Sequence, residues 1–191
     1  MKLKQYILAC VIISGILIIA CAKPPVDEME MATDAVTRAE NDADAVTYAS
    51  NSITRARDAL AQMNSEAAAK RYDSAKSYAA EAIAAAERAV SEGRSGAAHA
   101  RSEASDLVSE LKSLVDETTE ALDTARSARL DLDYDSAERV IDDANDKTSL
   151  AQTALSEDRF QDAINLGRTA RSELTGIQQL VSTAAAATAK K

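Results

Sequence analysis

His99 is the single histidine of the chain, and Glu103 follows it by four positions. On a helix that spacing puts both side chains on one face, where they could share a metal ion. A zinc site takes three or four protein ligands, so one imidazole and one carboxylate read as a solvated pair. The same histidine would have to serve any nucleophile–histidine–acid relay, and no serine around it sits in a recognisable strand-to-helix elbow. Asp131-x-Asp133-x-Asp135-Ser136 begins like a calcium-binding loop. That loop needs glycine at its sixth position and a bidentate glutamate at its twelfth; this sequence has Ser136 and Asp142 there. Asp133 or Asp135 is better placed to cap the start of a helix. These residues therefore point to no catalytic group, no bound cofactor and no metal ligand.

Cys21 has a chemistry that its surroundings specify. Met1-Lys2-Leu3-Lys4 is a short cationic start, and residues 6–19 are apolar apart from Ser14 and Gly15. A positive start, a short apolar stretch and a small residue before the cut describe a secretory signal. The stretch is shorter than the ~20 apolar residues of a spanning helix, and Lys23-Pro24-Pro25 prevents its continuation. Ile18-Ile19-Ala20-Cys21 resembles the bacterial lipobox: an aliphatic, a tolerant position, a small residue and an obligatory cysteine. The resemblance implies a signal peptide over 1–20, cleavage between Ala20 and Cys21, diacylglyceryl transfer to the Cys21 sulfur and acylation of the new amino terminus. Each buried methylene adds about 0.8 kcal/mol, so two or three chains anchor stably where one does not. An ordinary signal peptide that happens to contain a cysteine is the alternative. Cys10 should leave with the signal, so the mature chain keeps one cysteine, already acylated, and no internal disulfide. Ala22 stands where an aspartate would hold a lipoprotein in the inner membrane. This resembles the outer-membrane class and places the chain in the cell envelope, lipid-anchored at the outer membrane and facing the periplasm. The inner-membrane surface and the cell exterior are the alternatives.

Charge narrows the partners. The chain has 22 Lys and Arg against 31 Asp and Glu. Lys2 and Lys4 lie in the signal, which leaves 20 against 31, a formal −11. Such a balance disfavours nucleic acid and anionic lipid surfaces, both of which bind through basic patches. Trp is absent and Phe160 is the single phenylalanine, so a large aromatic-lined pocket is not expected. The chain closes on Lys190-Lys191. A small helical lipoprotein ending in lysine resembles the abundant bacterial lipoprotein whose terminal lysine is joined to peptidoglycan; a lysine pair complementing the helix dipole is the simpler reading. Attachment through Lys191 stays open beside it.

The elements that carry these residues are helices. Both prolines, Pro24 and Pro25, sit beside Cys21, and the rest is a long alanine-rich stretch of good helix formers. Apolar positions recur at alternating three- and four-residue steps. The runs are Val46, Ala49, Ile53, Ala56, Leu60, Met63; then Ala75, Ala79, Ala82, Ala86, Ala89; then Ala97, Ala100, Ala104, Leu107, Leu111, Leu114, Thr118, Ala121, Ala125, Ala128. A fourth is Ala137, Ile141, Ala144, Thr148, Ala151, Leu155, and a fifth Phe160, Ala163, Gly167, Ala170, Leu174, Ile177, Val181. Each is one narrow seam of coiled-coil-like packing. Disorder, the alternative for so polar a chain, would not sustain that period.

Asn41-Asp42-Ala43-Asp44 reads as a polar corner with cap residues. Tyr72-Asp73-Ser74-Ala75 and Tyr134-Asp135-Ser136-Ala137 are the same tetrapeptide, and Phe160-Gln161-Asp162-Ala163 is a looser copy. Each puts an aromatic at a helix start, as a plug closing a hairpin corner; ligand contact by the tyrosines is the weaker alternative. Gly93 and Gly96 mark a seam slip in a helix of 72–128 that we read as continuous and softened, with a hinge as the other reading.

The expected fold is all-α: helices over 26–40, 44–68, 72–128, 134–157 and 160–187, packed as an elongated antiparallel bundle. In it two slender three-helix bundles share the long central helix. The domain plan is a signal at 1–20, a lipidated tether at 21–26, one helical domain at 27–187 and a basic tail at 188–191. Arg71-Tyr72-x-x-Ala75 and Arg159-Phe160-x-x-Ala163 look like second helices of tetratricopeptide hairpins, but their spacing is no multiple of that repeat and its Trp and closing Pro are missing.

A closer resemblance covers nearly the whole chain. Cys21-Ala22-Lys23-Pro24-Pro25-Val26-Asp27-Glu28-Met29, Arg38-Ala39-Glu40-Asn41-Asp42 and Arg71-Tyr72-Asp73-Ser74-Ala75-Lys76 resemble a family of spirochaetal envelope lipoproteins built on an alanine-rich domain of unknown function. The resemblance implies a lipid-anchored helical envelope protein and brings no catalytic residue with it. The expected function is a non-enzymatic scaffold or interaction protein, held to a membrane by lipid on Cys21, with an envelope protein of unknown identity as partner and self-association open. The alternative is a periplasmic binding module or chaperone-like holder of peptides or envelope components in its hairpin grooves.

Overall fold

The structure, a computed structural model, describes residues 23–189. These form six helices: α1 (Val26–Asn41), α2 (Ala43–Tyr48), α3 (Ser50–Ala68), α4 (Tyr72–Ser127), α5 (Tyr134–Ser156) and α6 (Phe160–Thr188). The described chain is all-α, and its helices pack against one another as a bundle within each of two units. The expected helix bounds agree to within one residue, except at the second helix. There Ala49 leaves helical geometry (φ −129°, ψ 34°) and divides the expected 44–68 helix into α2 and α3. The step keeps its hydrogen bonds: Ala49 N–H donates to the Ala45 carbonyl and Ile53 N–H to that of Ala49.

The chain divides into two compact units, one through Gly93 and one from Arg94 onward. In the first, α1, α2–α3 and the early turns of α4 surround a core of alanines joined by Val36, Ile53 and Met63. An exposed ion pair bridges each pair of these helices: Arg57–Glu40 at 2.5 Å, Arg55–Glu81 at 3.0 Å and Lys76–Glu28 at 3.0 Å. Exposed pairs add little stability but record which faces meet. In the second unit, the later turns of α4 pack with α5 and α6 around Leu107, Leu111, Leu122, Ile141, Leu174 and Ile177. Here too every pair is bridged: Arg126–Glu138, Lys147–Glu173 and Arg168–Glu103.

The seams lie where the three-four period puts them, with local differences. Ala75, Ala79, Ala82, Ala86 and Ala89 are all buried. Val46, expected on the first seam, is exposed, and Ala45 takes its place with no accessible surface. The cause is Gly93. A methyl group on Gly93 would sit 2.5 Å from the Ala45 nitrogen and 2.7 Å from its Cα, so α4 meets the backbone of α2 directly and valine has no room. Gly93 is thus a close-packing glycine within an unbroken helical stretch, not only a softened point in the seam. Gly167 does the same for α6, where an added methyl would meet Leu107 Cδ2 at 2.6 Å. Val108, Leu122 and Ile164 are buried beside the seams, which makes the second unit's apolar stripe wider than the sequence spacing suggested.

The corners are built alike. Lys70, Arg129 and Asp158 adopt left-handed backbone, with φ of 59°, 57° and 58°. At each, the following N–H reaches back to a carbonyl five residues earlier: Arg71 to Glu66, Leu130 to Ala125, Arg159 to Ala154. The inner bonds Lys70 to Ala67, Arg129 to Arg126 and Asp158 to Leu155 complete the pattern. This is the Schellman helix stop, which glycine usually fills. An aromatic opens the next helix each time, at Tyr72, Tyr134 and Phe160, all half-buried. The Tyr134 hydroxyl donates to the Leu130 carbonyl at 2.7 Å, and the Arg126 guanidinium lies 5.0 Å from the ring centroid. These contacts make the ring part of the corner.

Candidate functional site

The residues singled out for chemistry are dispersed. Ala20, Cys21 and Lys191 lie outside the described residues. His99 is exposed, and its neighbour Glu103 accepts a hydrogen bond from Arg168 at 2.5 Å. They line a shallow polar groove of about 380 Å³ between α4 and α6, together with Asp106, Glu110 and Arg171. Arg171 pairs with Glu110 at 3.5 Å, so this groove is largely self-neutralised. Asp133 is the N-cap of α5: its carboxylate accepts from Ser136 N–H at 3.0 Å. Asp42 likewise caps α2 through Ala45 N–H at 2.9 Å. Among the described residues, no group of three or more His, Cys, Asp or Glu side chains stands close enough to hold a metal ion. No described helix is long and apolar enough to cross a membrane.

Perturbed ionisation follows the corners and the inter-helix bridges. Hydrogen bonding from Arg71 lowers the Glu66 carboxyl, and the same contact raises Arg71. Glu157 and then Asp162 raise Arg159, which stands at the equivalent place of the last corner. Lys147 is raised by hydrogen bonds to Asp143 and then Glu173. Arg71–Glu66, Arg159 with Glu157 and Asp162, and Lys147–Glu173 join one element to the next, whereas Lys147–Asp143 is a pair one turn apart on α5. These are structural electrostatics, not the desolvated isolation of a catalytic acid or base.

No sequence motif pointed to a further, apolar concavity. It lies in the second unit between the last turns of α4 and α6, with a volume of about 710 Å³. Ala121, Ala125 and Ala128 form one wall, Val181, Ala185 and Ala189 the other, and Leu130 closes the end. Glu117 and Glu120 stand on its α4 edge, and α5 contributes nothing to it. The two helices are held in register just before the groove opens. Thr118 has no accessible surface; its hydroxyl donates to the Leu114 carbonyl at 2.6 Å and accepts from Gln178 Nε2 at 3.1 Å. Beyond this bond both walls are small residues, and Ala128, Ala185 and Ala189 are exposed. The alanine spacing was visible in the sequence. That α5 would leave this face of the seam uncovered was not.

Comparison with known proteins bears on the first unit and the opening turns of the second. Residues 27–105 match the family described as Domain of unknown function (DUF4398). That match covers α1 to α3 and α4 as far as Ser105, which is the first unit and the opening turns of the second, so the apolar groove lies outside it. No curated protein and no solved structure matches the chain.

Proposed function

We propose that this chain is a lipid-anchored envelope lipoprotein of the spirochaetal alanine-rich type, acting as a non-enzymatic scaffold or interaction protein at the outer membrane and facing the periplasm. One observation carries the reading: Ile18-Ile19-Ala20-Cys21 ends a cationic-then-apolar leader that is too short to span a bilayer. Corners built from capping and aromatic residues, and ionisable groups engaged in bridges between helices, are in keeping with a body that presents surface rather than performs a reaction. Metabolic labelling with a radioactive fatty acid tests the anchor. The chain should take up label and fractionate with membranes, and Cys21→Ser should abolish both and leave the leader uncleaved. Equal labelling of Cys21→Ser, or an unlabelled wild type, would overturn the reading.

The groove between α4 and α6 favours a second reading, a module that holds a peptide or another envelope component. It is apolar, open along one side and wide enough for another element to lie against both helices.

A further inference from the structure

We propose that the groove formed by the last turns of α4 and α6 docks a cationic amphipathic helix of another protein. This rests on the second reading above and names the chemistry of its occupant. The walls decide the shape. Alanines at 121, 125 and 128 on α4 face Val181, Ala185 and Ala189 on α6, and small side chains let a third helical backbone approach closely. From Glu117 to Ala128 the α4 wall spans roughly 16 Å at the helical rise, room for about three turns of a partner helix.

The charge decides the flank. Asp116, Glu117, Glu120 and Asp123 are all exposed on this part of α4. The two cations of the same stretch are directed to α5: Lys112 donates to Gln152 at 3.1 Å, and Arg126 pairs with Glu138 at 2.5 Å. Glu117 and Glu120, on the groove edge itself, make no ion pair among the described residues. On α6, Glu173 is the last ionisable residue of the helix. Among the described residues, the α4 edge of the groove is therefore anionic and the α6 edge carries no ionisable side chain. That asymmetry fits a helix with lysine or arginine along a single flank of its apolar face, and it sets the direction in which the helix lies. A second copy of this chain, with a formal net charge of −9, meets the groove with the wrong sign.

The probe is a synthetic helical peptide of about three to four turns, leucine and alanine on one face and lysines along one flank, titrated by calorimetry against the full chain. A twin peptide carries glutamate in place of lysine. The lysine peptide should bind and the glutamate peptide should bind at least about tenfold more weakly. Glu117→Lys with Glu120→Lys should reverse that preference. Ala185→Trp, a change at an exposed wall position, should abolish both interactions, with circular dichroism confirming retained helicity. Equal binding of both peptides, lysine-peptide binding unchanged by Ala185→Trp and by the double reversal, or no binding at all overturns the proposal. So does saturable binding of a free fatty acid, or concentration-dependent dimerisation, that Ala185→Trp eliminates, since either gives the groove a different occupant. Failure here leaves fatty-acid labelling of Cys21 unaffected, so the anchored scaffold reading stands or falls separately.

Discussion

The two units solve the same packing problem with different side chains. In the first, the core consists mostly of alanines, and its large fully buried residues are Met63 and Val36. In the second, Leu107, Leu111, Leu122 and Leu174 supply the bulk, and two buried hydroxyls, Thr118 and Thr148, are satisfied by carbonyls one turn back. Alanine buries little area per residue, so an alanine core gains stability from many close approaches, whereas a leucine core gains it from a few large contacts. The glycines follow this division. Gly93 admits backbone against backbone; Gly167 admits a leucine side chain. The first unit therefore depends on how near its helices come and the second on how well its large side chains fit. The family match takes in all of the first kind of packing and only the edge of the second, and the open groove lies in the second beyond the match.

Substitutions can break or sharpen this contrast. The largest effect is expected at Leu111, which has no accessible surface. Leu111→Ala should destabilise the second unit by about 3 kcal/mol through lost burial and the cavity left behind. Val36→Ala in the first unit should cost about 1.5 kcal/mol. Hydrogen exchange read separately over the two units measures both, and equal losses would dissolve the contrast.

Three glycine-to-alanine changes form an internal scale. Each gains about 1 kcal/mol of helix propensity. At Gly93 the new methyl meets the Ala45 backbone, which cannot yield, so Gly93→Ala should be destabilising by about 2 kcal/mol net. At Gly167 it meets the mobile end of Leu107, and the two effects should cancel to within about 1 kcal/mol. Gly176 has nothing within 4 Å of the added methyl, so Gly176→Ala should stabilise by the propensity alone. Thermal melts followed by circular dichroism would show the order; a harmless Gly93→Ala would sink the close-approach account of the first unit.

The corners should not distinguish the units. Lys70→Gly in the first and Asp158→Gly in the second both relieve a left-handed non-glycine residue, and each should stabilise by about 1 kcal/mol in a urea titration.

The smallest effects are in pH dependence, and they probe opposite limbs. The folded-state Lys147 is raised by Asp143 and Glu173. Its contribution is therefore complete below the unfolded value of about 10.4 and is lost as pH rises through the folded one. The stability difference between wild type and Lys147→Met should shrink above that point. Glu66 is lowered by Arg71, so its contribution holds above about pH 4.3 and is lost as pH falls through the folded value. Glu66→Gln should flatten that acid limb. Urea midpoints across the two ranges check both signs.

The sequence by itself determined the class of the fold and most of its lines. Proline confined to positions 24 and 25, a sustained three-four period and a repeated Tyr-Asp-Ser-Ala start are local facts, and helix formation is governed locally, so the helix bounds and the seams were legible. A cap at Asp133 or Asp135 was legible for the same reason, and the structure puts it at Asp133. What only the tertiary structure decided depends on distances between elements remote in sequence. Ala45 replaced Val46 because Gly93, almost fifty residues later, brings α4 onto the backbone of α2. The left-handed stops at Lys70, Arg129 and Asp158 carry none of the usual glycine signal; back-bonds from the following residue, and the start of a packed helix beyond it, accompany them. The groove is legible in neither α4 nor α6 taken alone. It exists because α5 lends it no residue, which leaves the last alanines of both helices facing water.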